Sequence, residues 1–192
     1  MKWALGTIFS PGTTWLRIAE AAPSVWFAAL VDWLPWLLLG LGTEYYGLTH
    51  WGGSLSEIQA FQTYSADQAL RYVGIYGGLF VLVLLLSSLW LKSVTESFGT
   101  RVTFSQTLLM LGYGTIPISL SRFADALPQL PTWACWGAGM VLVARGLYHG
   151  VALLLKPEQT KGFGIYLFSM VVVGCLSGIA HLLCIIVLRG RI

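Results

Sequence analysis

Long apolar stretches separated by short polar breaks set the pattern of this chain, and their lengths predict helices that cross a membrane. The hydrocarbon core of a bilayer takes about 20 helical residues at 1.5 Å each. Five stretches come near that length. The first, about residues 24–42, follows Pro23 and reads SVWFAALVDWLPWLLLGLG, with Asp32 inside the span and a kink expected at Pro35. The second, about 69–91, is preceded by a capping-box pattern at Ser65 and Gln68 and centres on FVLVLLL. The third, about 105–122, is loosened by Gly112, Gly114 and Pro117 and is barely long enough to cross. The fourth, about 132–155, holds Arg145 and His149, and the fifth, about 163–188, holds His181.

Two shorter patterns predict helices lying on the membrane surface. Residues 12–22 place Trp15, Ile18, Ala19 and Ala22 on an apolar side, against Arg17 and Glu20. The longest connection, about 43–68, is rich in interfacial aromatics (Tyr45, Tyr46, Trp51, Tyr64). It also carries a capping-box pattern at Ser54 and Glu57, followed by Leu55, Ile58 and Phe61 at helical spacing. The expected fold class is all-α: one polytopic membrane helix bundle over residues 1–192, with five transmembrane helices plus short interfacial helices.

Composition agrees with this reading. Charged residues make up 10% of the 192, against about 25% in a soluble domain. An ordinary water-soluble globule is excluded, and the first partner is the lipid bilayer. A net charge of +3 with scattered basic residues excludes a nucleic-acid surface. Ser10, Pro11 and Gly12 interrupt the N-terminal apolar stretch, so no cleaved signal peptide is expected. The chain has no Asn and hence no N-glycosylation acceptor. With the N-terminus inside, inner segments carry Lys2, Arg17, Lys92, Arg101, Lys156 and Lys161, and outer ones Arg71, Arg122, Arg189 and Arg191, an imbalance that favours N-inside.

Candidate chemistry is sparse. Cys135, Cys175 and Cys184 have no metal-ligand spacing and read as buried small hydrophobes, with a Cys135–Cys184 disulfide as the alternative. No metal, cofactor or catalytic residue is expected, since phosphate-cradling loops, ligand clusters and paired carboxylates are absent. Ser177 and His181 stand four apart. However, Cys175 replaces the glycine that an intramembrane serine protease carries two residues before its nucleophile, and a serine here is expected to bond to its own helix.

Charges inside spans are costly, about 2.5–3.5 kcal/mol each at a helix centre, so they face protein or water by default. Asp32 and Arg145 are predicted at matching depths of about 12–15 Å from the inner face, with Tyr113 at a similar height and His149 one turn below Arg145. Two readings follow. Asp32, Tyr113, Arg145 and His149 form either a structural polar cluster that fixes helix packing, or the pocket of a small transporter or channel. Glycine pairs at spacing four (Gly74 and Gly78, Gly146 and Gly150, Gly174 and Gly178) allow close helix approach, within the chain or between copies.

The order of these features resembles the Yip (Ypt/Rab-interacting protein) domain family in its short prokaryotic form. Ser10-Pro11, Trp15, Ile18 and Pro23 lead into span one. Phe98-Gly99, Tyr113 and Pro117 mark span three, and Tyr148-His149-Gly150, the loop Pro157 to Lys161, Gly164 and Tyr166 follow. The likeness runs from about residue 8 to residue 188. It implies a five-span bundle with a cytosolic N-terminus, a non-enzymatic role, and contacts with itself or other membrane proteins. Larger relatives bind Rab-type GTPases partly through a long cytosolic N-terminal region. Span one begins here near residue 24, so that activity is not carried over. A bacterial inner membrane is the expected location.

Overall fold

A computed structural model of the chain describes residues 3–52, 63–127 and 129–188. The second interfacial helix expected around Ser54 to Phe61 lies outside the described residues. Everything described is helix, turn or irregular connection. Two short helices, α1 (Ala4–Phe9) and α2 (Pro11–Ala21), lead into α3 (Val25–His50) and α4 (Ala66–Ser97). A pair of half-length helices follows, α5 (Phe104–Gly114) and α6 (Ile116–Asp125), then α7 (Thr132–Leu155) and α8 (Gln159–Leu188). Among the described residues, four helices are long and apolar enough to cross a membrane, namely α3, α4, α7 and α8. The bundle is an integral, multi-pass membrane fold.

The ends of these helices follow from local chemistry. Ser65 opens α4 with the expected capping box: its hydroxyl accepts from the Gln68 N–H at 3.2 Å, and Gln68 Oε1 accepts from the Ser65 N–H. Thr103 and Gln106 build the same device at the start of α5. Pro35 does not break α3. The turn before it, Ala29–Trp33, opens into π geometry, which gives room where the proline ring would otherwise press on the preceding turn. α2 and α7 both end on a left-handed residue directly before a proline, Ala22 (φ 40°) before Pro23 and Lys156 (φ 46°) before Pro157.

The stretch expected as a weak third span, loosened by Gly112, Gly114 and Pro117, is two helices, broken at Thr115. Pro117 supplies no N–H for the carbonyl of Tyr113, and the Thr115 hydroxyl donates to the Leu111 carbonyl at 2.8 Å. This broken pair is the most buried part of the molecule, with every residue from Thr107 to Gly114 inside. Around it the core collects Trp15, Ile18, Leu91, Met110, Val143, Leu147 and Ile165.

α3 and α6 approach most closely at two glycines. A Cβ on Gly40 would lie 2.6 Å from the Ser119 carbonyl oxygen, and one on Gly47 would lie 2.7 Å from that of Ala126. Contact moves up α6 as it moves up α3, so the two run in the same direction. Phe104, at the start of α5, lines the same groove as Val25 at the start of α3. Together the half-helices cover the height that α3 covers from Val25 to Gly47.

α2 is amphipathic as expected, but protein rather than lipid covers its apolar face. Trp15 and Ile18 are fully buried, and the Trp15 ring lies where a Cβ on Gly150 of α7 would come within 3.0 Å.

Candidate functional site

Two polar layers lie inside the bundle. Asp32 and Glu44 are both on α3, twelve residues apart, which separates the layers by about 18 Å along the helix.

The first layer contains Asp32 and Tyr113. Asp32 sits in the π turn of α3, 2% exposed, and the hydroxyl of the fully buried Tyr113 donates to its Oδ2 at 2.8 Å. Three indoles stand edge-on to the Tyr113 ring: Trp3 and Trp15 at 6.3 Å and Trp33 at 5.6 Å between centroids. The N-terminal segment thereby packs onto the tyrosine that holds Asp32. A hydrogen bond in such surroundings is strong because little water competes for it.

Arg145 and His149 are placed differently. α7 buries Cys135, Gly139, Val143, Gly146, Leu147 and Gly150 along one stripe, and Arg145 falls on the other side of the helix, exposed. His149 is half-buried beside Tyr148, its Cε1 facing Gly12. The structure thus brings Asp32 and Tyr113 together and leaves Arg145 out of their layer.

The second layer was not anticipated from sequence. Arg122 of α6 lies between Glu44 of α3, Tyr76 of α4 and His181 of α8. Its Nη1 donates to Glu44 Oε1 at 3.1 Å, and the two side chains are 3% and 5% exposed. Its guanidinium carbon stands 3.9 Å over the Tyr76 ring, a close cation–π contact. Its Nη2 is 3.0 Å from His181 Nδ1. Because a guanidinium can only donate, Nδ1 must accept, and neutral His181 carries its proton on Nε2. Trp133 of α7 meets the His181 ring edge-on at 4.7 Å. This one residue, with its neighbours, therefore ties together α3, α4, α6, α7 and α8.

The signal for this layer was present in the sequence. Leu37, Gly40, Glu44, Gly47 and Leu48 form the buried stripe of α3, at helical spacing that runs past Gly42, where the span was expected to end. Followed to His50, that stripe places Glu44 on the inner face.

Ser177 and His181 do not form a dyad. The Ser177 hydroxyl donates to the Gly174 carbonyl at 3.3 Å, as expected for a serine bonded to its own helix, and accepts from Trp136 Nε1 at 3.2 Å, while His181 turns to Arg122. Cys135 and Cys184 are buried and Cys175 is exposed, and no disulfide joins any two of them. Among the described residues no group of His, Cys, Asp and Glu could hold a metal ion.

The glycine pairs fall into different settings. A Cβ on Gly146 would lie 3.9 Å from the Gly114 carbonyl oxygen, and one on Gly150 would meet Trp15 and Met110. Gly174 and Gly178 lie beside Met140 and Trp136 of α7, whereas Gly74 and Gly78 face open space.

Neither the curated proteins nor the solved structures compared with this chain gave a match. The profile of the Yip1 domain matches residues 5–187, a span that takes in both polar layers, the broken pair α5–α6 and all four long helices. On that match over nearly its whole length, the chain belongs to the Yip1 domain family of membrane proteins.

Proposed function

We propose that this chain is a non-enzymatic membrane protein that acts through helix contacts with itself or with other membrane proteins, in the short prokaryotic form of its family. The observation that carries this reading is the second polar layer. Arg122, Glu44, His181 and Tyr76 meet one another within hydrogen-bond or stacking distance inside the bundle, and Asp32 is engaged by Tyr113, itself packed against three indoles. Charges so arranged hold helices in register. The same layers leave the outer faces of α3, α4, α7 and α8 exposed and apolar except at Arg145 of α7, with Trp26, Val81, Leu89, Val141, Val171 and Ile179 among the outward residues, and contacts in the membrane plane would form there.

In this proposal α5 and α6 cross together as a fifth, broken span. They count 11 and 10 residues, and with Thr115 they reach about 33 Å if laid end to end, against a hydrocarbon core of about 30 Å. The N-terminus is then on the cytosolic side of a bacterial inner membrane. Arg122, now buried, leaves the outer charge tally, which sharpens the N-inside bias.

The test is self-association and co-purification from native membranes at endogenous abundance. Two differently tagged copies, or one copy with a defined membrane partner, should purify together in mild detergent and exchange slowly. A chain that stays monomeric and alone, yet dissipates a proton gradient in vesicles in a manner lost in Asp32→Asn, would instead support the transporter reading.

A further inference from the structure

A groove of about 570 Å³ opens between α3, α4 and the broken pair. Val25, Ala29 and Leu37 line it from α3, Val81 from α4, and Phe104 and Ile116 from α5 and α6. We infer that this groove holds one acyl chain of an anionic phospholipid from the leaflet where α3 begins.

Chemistry and height both fix the occupant. The lining is apolar almost throughout, its polar side-chain groups being the Ser105 and Ser119 hydroxyls and the indole N–H groups of Trp26 and Trp33, so a polar solute finds few partners inside. The groove starts level with the first turns of α3 and α5, at Val25 and Phe104, where the exposed Trp26 marks the interface. It ends near Leu37 and Ser119, just where α3 and α6 close on each other at Gly40. From Val25 to Leu37 a helix rises about 18 Å, close to half the hydrocarbon thickness of about 30 Å. A transmembrane helix from a second copy or another protein would need a groove of full height. A lipid tail needs one leaflet. Val81 and Leu85, both partly exposed, leave the groove open toward the bilayer from which such a tail would enter.

The charge at this end selects the head group. The loops and helix ends here carry the exposed Arg101, three residues before Phe104, together with Arg17, Lys92, Lys156 and Lys161, against Glu20, Glu96 and Glu158. Lys161 Nζ stands 3.7 Å from where a Gly99 Cβ would be, so the loop before α5 and the loop before α8 share this end. The surplus is positive, and it would hold an anionic phosphate at the mouth.

The full chain, extracted in mild detergent and incubated with phosphatidylglycerol or phosphatidylcholine, is read by native mass spectrometry. Wild type should retain one phosphatidylglycerol per chain through washing, and several-fold less phosphatidylcholine. Val81→Trp and Ala29→Phe, which fill the groove from two different helices, should each lower occupancy at least tenfold, while Leu89→Trp, on the outer face of α4, should not. Arg101→Gln should lower retention of phosphatidylglycerol several-fold without changing that of phosphatidylcholine. Equal occupancy in both groove-filled variants, or no retained lipid in wild type, overturns the assignment. Equal retention of the two lipids overturns the head-group part. A dimer that Val81→Trp dissociates with no loss of lipid places a second copy in the groove instead.

Discussion

Replacing Arg122 with Met removes the cation that faces Glu44 at 3.1 Å, the stack over Tyr76 at 3.9 Å and the donor to His181 Nδ1 at 3.0 Å. Breaking a buried ion pair by deleting one partner costs about 3–5 kcal/mol, because the remaining charge stays in a low-dielectric site. The lost cation–π contact adds to this, at roughly 2 kcal/mol when desolvated. Two effects pull the other way: Glu44 can take up a proton, and the unfolded helices remain in an apolar phase where polar groups still find partners. The expected loss for Arg122→Met is therefore about 3 kcal/mol. Glu44→Leu combined with Arg122→Met removes both charges and leaves apolar side chains in their place. That double variant should come within about 1–2 kcal/mol of wild type. The assay is unfolding by titration of sodium dodecyl sulfate into mild-detergent micelles, followed by helical circular dichroism and by tryptophan fluorescence. A double variant as unstable as the sum of the two single ones would show that Glu44 and Arg122 act independently, and the reasoning would fail.

Three further outcomes follow from the same geometry. Gly40→Ala and Gly47→Ala drive a methyl to within 2.6 and 2.7 Å of the α6 backbone and should each cost about 1–3 kcal/mol, whereas Gly74→Ala and Gly78→Ala meet open space and should be neutral or gain up to about 1 kcal/mol, all read in the same titration. Tyr113→Phe deletes the hydroxyl that donates to Asp32 and should lower the unfolding midpoint by the equivalent of about 1–3 kcal/mol; an unchanged midpoint would mean that the bond holds nothing in place. Ala22→Gly relieves a left-handed residue ahead of Pro23 and should raise thermal stability by about 1 kcal/mol, whereas a lowered melting temperature would contradict strain at that turn.

The elements that sequence revealed are those governed by local chemistry. Ser65 with Gln68 marks a helix start because the two satisfy each other's backbone neighbours, and Pro117 marks a break because it lacks a donor. Heights along helices were legible too: Asp32 and Tyr113 were expected at similar depth, and they are hydrogen-bonded. Rotation about the helix axis was not. Arg145 has a matching predicted depth, but the stripe through Val143, Gly146 and Gly150 packs inward and turns Arg145 out. That choice is made by neighbouring helices and leaves little trace in local sequence. Glu44 and Arg122 were assigned to connections because the apolar runs stop at about Gly42 and Arg122. In the structure the helices continue to His50 and Asp125, and burial there is supplied by protein rather than by lipid. α2 was legible as amphipathic, but not in what covers it, since an apolar stripe fits a bilayer surface and a bundle equally well.

On this reading the interior charges pack helices and do not line a water path. Its most direct test places a cysteine at position 32 (Asp32→Cys), in a chain whose Cys135, Cys175 and Cys184 are replaced by Ala. The rate of labelling by a soluble, membrane-impermeant maleimide is then compared, in vesicles open to both sides, with that of Arg101→Cys in the exposed loop. With Asp32 2% exposed and its partner Tyr113 packed against Trp3, Trp15 and Trp33, labelling should be at least tenfold slower than at position 101. A rate within a factor of two of the loop control would show that water reaches this carboxylate, and would contradict that reading.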